Sequence, residues 1–247
     1  MAIHGKRTAV AAALTAVLGA GMSACGPDRD SEAAAPAGPV SAPASASASA
    51  SASDVTVLLP ESRTVGAKVR SVRIAFRLDL NGKLLSGEAF GDKDGTCVGW
   101  AQTDGDGRTD FVRKAGTVWV TPKDGATQQT LKLPADNPTA KKMTGYCDTG
   151  LEILATGGLN TMGADAINRP AGQKDVGGVK AQVFKDLTGS ELVIAAEGPA
   201  YLLSMSASTP ARIEMQFSDF DRPVQVVVPP AAQVVDGTQY LGGGAGH

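Results

Sequence analysis

Val72, Ile74, Phe76, Leu78 and Leu80 alternate with Ser71, Arg73, Ala75, Arg77 and Asp79, a period-2 pattern held over ten residues. Alternation of this kind places one apolar row on one face of a strand and suits no helix. Asn81-Gly82 follows at once and leads into Lys83 to Phe90. A hairpin closed by a two-residue type I′ turn is therefore predicted. Asp94-Gly95 marks the next reversal. Further strands are expected at Cys97 to Gln102, Thr109 to Arg113 and Thr117 to Thr121, separated by Asp104-Gly105-Asp106-Gly107 and by Ala115-Gly116. The result is an antiparallel meander with one polar and one apolar face.

The middle of the chain changes character. Asn137-Pro138 opens a helical stretch to about Met143, and Asp148 is expected to cap a second helix through Leu151, Leu154 and Ala155, ended by Gly157-Gly158. Beyond Asp175 strand signals return at Val179 to Lys185, Glu191 to Ala196, Ala200 to Ser206, Arg212 to Phe217 and Val224 to Val228. Thr188-Gly189, Gly198-Pro199, Thr209-Pro210 and Pro229-Pro230 punctuate them. Strands at regular spacing, with helices gathered into one segment, predict an α+β domain on a large curved antiparallel sheet.

The amino terminus carries a separate message. Lys6 and Arg7 precede an apolar run from Thr8 to Gly21 that is too short for a stable membrane span, as in a cleaved signal peptide. Met22-Ser23-Ala24-Cys25 ends it and resembles the lipobox of bacterial lipoproteins, in which the cysteine thiol receives a diacylglyceryl group. Residues 1–24 are thus expected to be a lipoprotein signal peptide and Cys25 the lipidated first residue of the mature chain. The alternative is an ordinary secretory signal cut near Ala24. Two acyl chains suffice for stable anchoring where one does not. The expected location is the outer face of the cytoplasmic membrane, with membrane lipid as the first partner through the diacylglyceryl anchor.

Residues 25–53 shift to Ala, Ser and Pro and read as a disordered tether, since they hold too few large side chains to offset the entropy of ordering. Residues 54–240 form a single domain, and residues 241–247 a Gly-rich tail ending at His247. The chain has three cysteines. With Cys25 lipidated, Cys97 and Cys147 remain as an even pair in an oxidising compartment, where they form a bridge or stay as two buried thiols.

Several function classes are disfavoured. The formal net charge is −2 and no Lys/Arg cluster exceeds a pair, so nucleic acid is not an expected partner. Aromatic residues make up 4 %, which leaves few side chains for a stacking platform. The chain has two histidines, His4 in the signal peptide and His247 in the tail, so His-dependent catalysis and His-ligated zinc have no base or ligand in the domain. Asp92 and Asp94 form a carboxylate pair inside a turn, where Asp serves local backbone hydrogen bonding. Asp104, Asp106 and Asp110 invite a calcium reading, but Arg108, Thr109 and Ala115 stand where an EF-hand loop needs a third Asp or Asn, a Gly and a Glu. Proline in Asn137-Pro138-Thr139 removes a glycosylation acceptor. No catalytic residue, metal ligand or cofactor is assigned, and the protein is not expected to be an enzyme.

Beyond the lipobox and tether, Asp94-Gly95-Thr96-Cys97 and the run Gly116 to Lys123 resemble segments of the actinobacterial LppX/LprG-type lipoproteins. Ala196 to Tyr201 is similar to that group's Gly-x-Pro-Tyr turn. Phe217 to Val224, followed by Pro229-Pro230 and Val235-Asp236, is similar to its closing strand and exit. The resemblance implies a LolA-like half-barrel whose concave face is covered by helices and encloses an apolar cavity, and a protein that carries lipids or lipid-linked glycans in the envelope. Periodicity alone nominates the ligand wall: Val72, Ile74, Phe76 and Leu78, continued by Val118, Val120, Leu192 and Ile194, with Trp100 and Trp119 at the rim. The expected function is a membrane-anchored lipoprotein that binds a lipid or another hydrophobic molecule. The alternative is a structural or protein-docking lipoprotein in which the same residues form a filled core.

Overall fold

The alternating segment forms β1 (Ser71–Leu80), paired antiparallel with β2 (Lys83–Asp92) from Ser71↔Asp92 to Leu80↔Lys83. That register leaves two residues in the connection, and Gly82 at φ +80° supplies the left-handed backbone a type I′ turn needs. The meander continues through β3 (Cys97–Thr103), β4 (Arg108–Lys114), β5 (Thr117–Pro122) and β6 (Thr130–Pro134). A second run comprises β7 (Arg169–Val176), β8 (Val179–Lys185), β9 (Glu191–Ala195), β10 (Leu202–Ala207) and β11 (Ile213–Ser218). Strand β11 returns to pair with β1, with Phe76 opposite Met215, and so fuses both runs into one sheet. The order is β12-β6-β5-β4-β3-β2-β1-β11-β10-β9-β8-β7, in which β12 (Val234–Asp236) alone runs parallel to its neighbour. The fold is α+β, with a 12-stranded, mostly antiparallel sheet that is curved and not closed into a barrel.

This computed structural model describes residues 55–80, 82–123, 129–158, 169–208 and 211–238. The expected signal peptide, Cys25, the tether, the Gly-rich tail, Asn81 and Thr209-Pro210 lie outside the described residues.

Two helices pack on one face of the sheet. Helix α1 (Val55–Gly66) contributes Leu58 and Leu59 to a buried cluster, and helix α2 (Pro138–Thr156) contributes Ile153 and Leu154 to the same one. Helix α2 starts where Asn137-Pro138 was expected to open a helical stretch, and Asn137 is its cap, with Oδ1 accepting from Thr139 N at 2.9 Å and Ala140 N at 3.4 Å. Gly157, in the left-handed conformation, ends it.

Three expectations are corrected. Helix α2 runs unbroken through residue 148, so Asp148 caps nothing; its carboxylate instead reaches Arg113 on β4, and that ion pair explains an acidic residue at mid-helix. The helices are not gathered in one segment, because α1 precedes the sheet. Val224 to Val228 is not a strand: β11 has already filled the place beside β1, and the segment carries no backbone pairing on its way to β12.

The other face of the sheet is partly covered too. Ala181, Val183, Val193, Ala195 and Leu203 form a separate cluster there, roofed by Val176, Tyr201 and Phe220. The rings of Tyr201 and Phe220 stack at 4.1 Å. Asp219 and Asp221 hold this corner to β1, since Asp219 accepts from Arg73 Nε at 2.7 Å and Asp221 from Arg70 N at 2.7 Å.

Candidate functional site

Alternation puts the even-numbered side chains of β1 on the helix side of the sheet. Val72 and Ile74 pack with Leu58 and Leu59 of α1, with Ile153 and Leu154 of α2, and with Leu192 and Ile194 of β9. Phe76 belongs to the next cluster, beside Cys97, Phe111 and Cys147. Val118 and Val120 pack with Leu133 of β6 and Ala140 of α2. Of the eight nominated wall residues all but Leu78 are buried. The structure thus lines them along one helix-covered face, most of it filled by side chains.

The filling is incomplete beside α2. Between β1, β11 and α2 lies an apolar cleft of about 170 Å³, lined by Ile74, Phe76, Leu78 and Met215 from the sheet and by Tyr146, Thr149 and Gly150 from the helix. Gly150 faces Ile74 so closely that a Cβ there would lie 1.6 Å from Ile74 Cδ1. The Tyr146 ring stacks on Phe76 at 4.5 Å, and burial pushes its phenol pKa up. An apolar cavity of ~150 Å³ stays dry and accepts a benzene-sized guest. The cleft therefore suits one ring or a short run of methylenes, and is too small for several acyl chains at once.

Helix α2 is clamped beside this cleft. A disulfide joins Cys97 of β3 to Cys147, with Cα atoms 6.2 Å apart, and Gly91 of β2 leaves the room, since a Cβ there would lie 2.5 Å from Cys147 Cβ. One turn of charge adds to the bond: Arg113 Nη2 donates to Asp148 Oδ1 at 2.6 Å, Nη1 to Asp148 Oδ2 at 2.9 Å, and Nε to Gly95 O at 2.7 Å. The hydrogen bonds that Arg113 donates to Asp148 push its guanidinium pKa up against the desolvation that opposes it. Such a bidentate pair fixes the rotation of the helix as well as its position.

Across the Tyr146 ring the cleft has a neighbour, a larger hollow of about 380 Å³ at the tips of the β1–β2 and β3–β4 hairpins. Its floor includes Leu85, Ala101 and Met143, and Lys83, Lys142 and Asp106 also line it. Tyr146 lines both spaces. Met143, Tyr146 and Gly150 recur at helical spacing, a face of α2 that the sequence displayed without the sheet register that gives it meaning.

Other nominated residues lie elsewhere. Trp100 and Trp119 do not rim the cleft: they alternate with Ala101 and with Val118 and Val120 and so face the opposite side of the sheet. There Arg108 lies over the Trp100 ring at 4.5 Å, while Trp119 lines an open groove of about 750 Å³ with Lys132, Val228 and Pro229. Asp92 Oδ1 accepts from Thr96 N at 2.8 Å within its turn. Asp104 and Asp106 occupy the β3–β4 turn, and Asp110 pairs with Arg108 at 2.7 Å and Lys123 at 3.3 Å. Among the described residues no group of three or more His, Cys, Asp or Glu side chains is placed to hold a metal ion, and no helix is long and apolar enough to cross a membrane.

No family model matches the sequence, and neither does any curated protein. Among solved structures, the chain is similar to LprF from Mycobacterium bovis, with 15 % identity and a TM-score of 0.49 over 70 % of this chain and 95 % of that one. It is similar to an uncharacterized conserved protein from Thermus thermophilus, with 12 % identity and a TM-score of 0.33 over 72 % of this chain and 96 % of the other. It is also similar to MucB in complex with MucA, with 16 % identity and a TM-score of 0.32 over 73 % of this chain and 58 % of MucB. At such scores the fold rests on the strand order and register above.

Proposed function

We propose that the protein is a lipoprotein of the cell envelope, held through Cys25 at the outer face of the cytoplasmic membrane, that binds a lipid or another hydrophobic molecule and catalyses no reaction. The cleft between Ile74, Phe76, Leu78, Met215 and α2 carries this reading, because it is apolar, open at one side and bounded by a helix tied through Cys147 and Asp148 to β3 and β4. Ligand methylenes entering it gain contacts with Ile74, Phe76, Leu78 and Met215 and leave water behind. The bridge between Cys97 and Cys147 supports an oxidising compartment.

The test uses the full chain with Cys25→Ser, so that no acyl group of its own competes. N-phenyl-1-naphthylamine, whose fluorescence rises in apolar surroundings, binds this protein under the proposal. Thr149→Trp, which adds a ring at the exposed lip of the cleft, abolishes the signal. Equal fluorescence from both proteins, or none from either, refutes the reading.

A second reading keeps one observation on its side. Most of the nominated wall is sealed under α1 and α2, as a filled core in a docking lipoprotein would be. That reading is favoured if the Cys25→Ser chain binds no apolar probe and carries no lipid in a native mass spectrum.

A further inference from the structure

The hollow beside the cleft is charged while the cleft is not. The inner space has almost wholly apolar walls, and the hollow beyond Tyr146 is bordered by Lys83 at the start of β2, Lys142 on α2 and Asp106 in the β3–β4 turn. Both lysines are exposed, and neither makes an ion pair among the described residues. Two cations against one carboxylate leave the hollow net positive. Lys142 and Tyr146 are four residues apart on α2, so the same helix face presents first a charge, then an amphipathic ring, then the bare backbone of Gly150.

Resting on the binding proposed above, we infer that the ligand is a single-chain anionic amphiphile, with its tail end among Ile74, Phe76, Leu78 and Met215, its chain passing the Tyr146 ring, and its carboxylate or phosphate head between Lys83 and Lys142. Three features set this class. The narrow inner space admits one chain and not two. The graded polarity from Met215 to the lysines matches a molecule with one greasy and one charged end. Screening at the open mouth leaves each lysine a modest preference for an anion, so the charge selects the head and the tail supplies most of the affinity. The disulfide at Cys147 fixes the middle of α2, so the path opens by rotation of the Tyr146 ring off Phe76 rather than by swinging the helix.

Displacement of N-phenyl-1-naphthylamine from the Cys25→Ser chain tests it, with dodecyl phosphate and dodecyltrimethylammonium compared below their micelle concentrations. Dodecyl phosphate is expected to displace the probe at about tenfold lower concentration than the cationic amphiphile. Inorganic phosphate at the same concentration is expected to displace none, which separates an amphiphile site from a free-phosphate site. Lys83→Gln with Lys142→Gln reduces the preference, taken as the ratio of the two amphiphiles' displacement on the same variant, to below about twofold, and Asp106→Asn increases it. Equal displacement by the two amphiphiles, displacement by inorganic phosphate, or a preference that survives loss of both lysines overturns the inference. Failure of the probe to bind, or its equal binding to Thr149→Trp, instead removes the cleft reading on which the inference rests.

Discussion

Gly150 and Ile74 meet where α2 crosses β1, so closely that a methyl group on Gly150 would lie 1.6 Å from Ile74 Cδ1 and 2.5 Å from its Cγ1. In an isolated helix, Gly→Ala is stabilising by about 1 kcal/mol. Here the sign is reversed. Gly150→Ala overpacks the contact and is expected to cost ~1–3 kcal/mol, read as a lower urea midpoint. Ile74→Ala removes both offending atoms, so the double variant is less destabilised than the sum of the singles; additivity would place the contact elsewhere.

The bridge between Cys97 and Cys147 spans 50 residues of sequence and ties β3 to α2. Loop-closure entropy gives a contribution of about 4 kcal/mol for a loop of this length. Cys97→Ala with Cys147→Ala is expected to lose most of that, measured by denaturant unfolding at fixed pH. A change under about 1 kcal/mol would mean that the unfolded chain is already constrained without the bond.

How much was legible in the sequence follows from these contacts. The β1–β2 hairpin announced itself because alternation and Asn81-Gly82 are both local signals. Helix α1 did not, since Val55, Thr56 and Val57 are weak helix formers and Pro60 lies inside it; burial of Leu58 and Leu59 overrides that propensity. Strands β6, β7 and β12 also escaped notice. β7 is almost wholly exposed and contains Pro170 and Gly172, and β12 depends on a parallel partner far away in sequence. The wall residues were read from periodicity, whereas the cleft depends on Tyr146, Thr149, Gly150 and Met215. Their role arises from the crossing of α2 over β1 and β11, which no local pattern encodes.

Asp186 gives the chain a small acid-sensitive element in the β8–β9 connection. Slight desolvation pushes its carboxyl pKa up, but hydrogen bonds from Thr188 and Ser190 outweigh it and hold the carboxyl below its ordinary 3.8. A depressed folded pKa stabilises above the unfolded value and loses that contribution as pH falls through the folded one. Asp186→Ala is therefore expected to be less stable than the parent above about pH 4, with the difference shrinking as pH falls toward about 2. A gap that widens on acidification would contradict the sign.

Asn137 secures the other end of α2. Its side chain satisfies the first free N–H groups of the helix, and Asn137→Ala is expected to cost ~1 kcal/mol. Asn137→Asp is expected to keep the cap, with an added charge at the helix amino end. Thermal unfolding of the two variants side by side checks both. Equal loss from both would show that the cap is not formed.

The central claim is that an apolar chain end enters between β1, β11 and α2, and a photoreactive fatty acid reports on this directly. A fatty acid with a diazirine near its methyl end, irradiated with the Cys25→Ser chain and mapped by peptide mass spectrometry, is expected to label Met215, Tyr146 and Thr149, and to lose that labelling with Thr149→Trp. Labelling confined to the Trp119 groove on the opposite face, or unchanged by Thr149→Trp, would contradict the account.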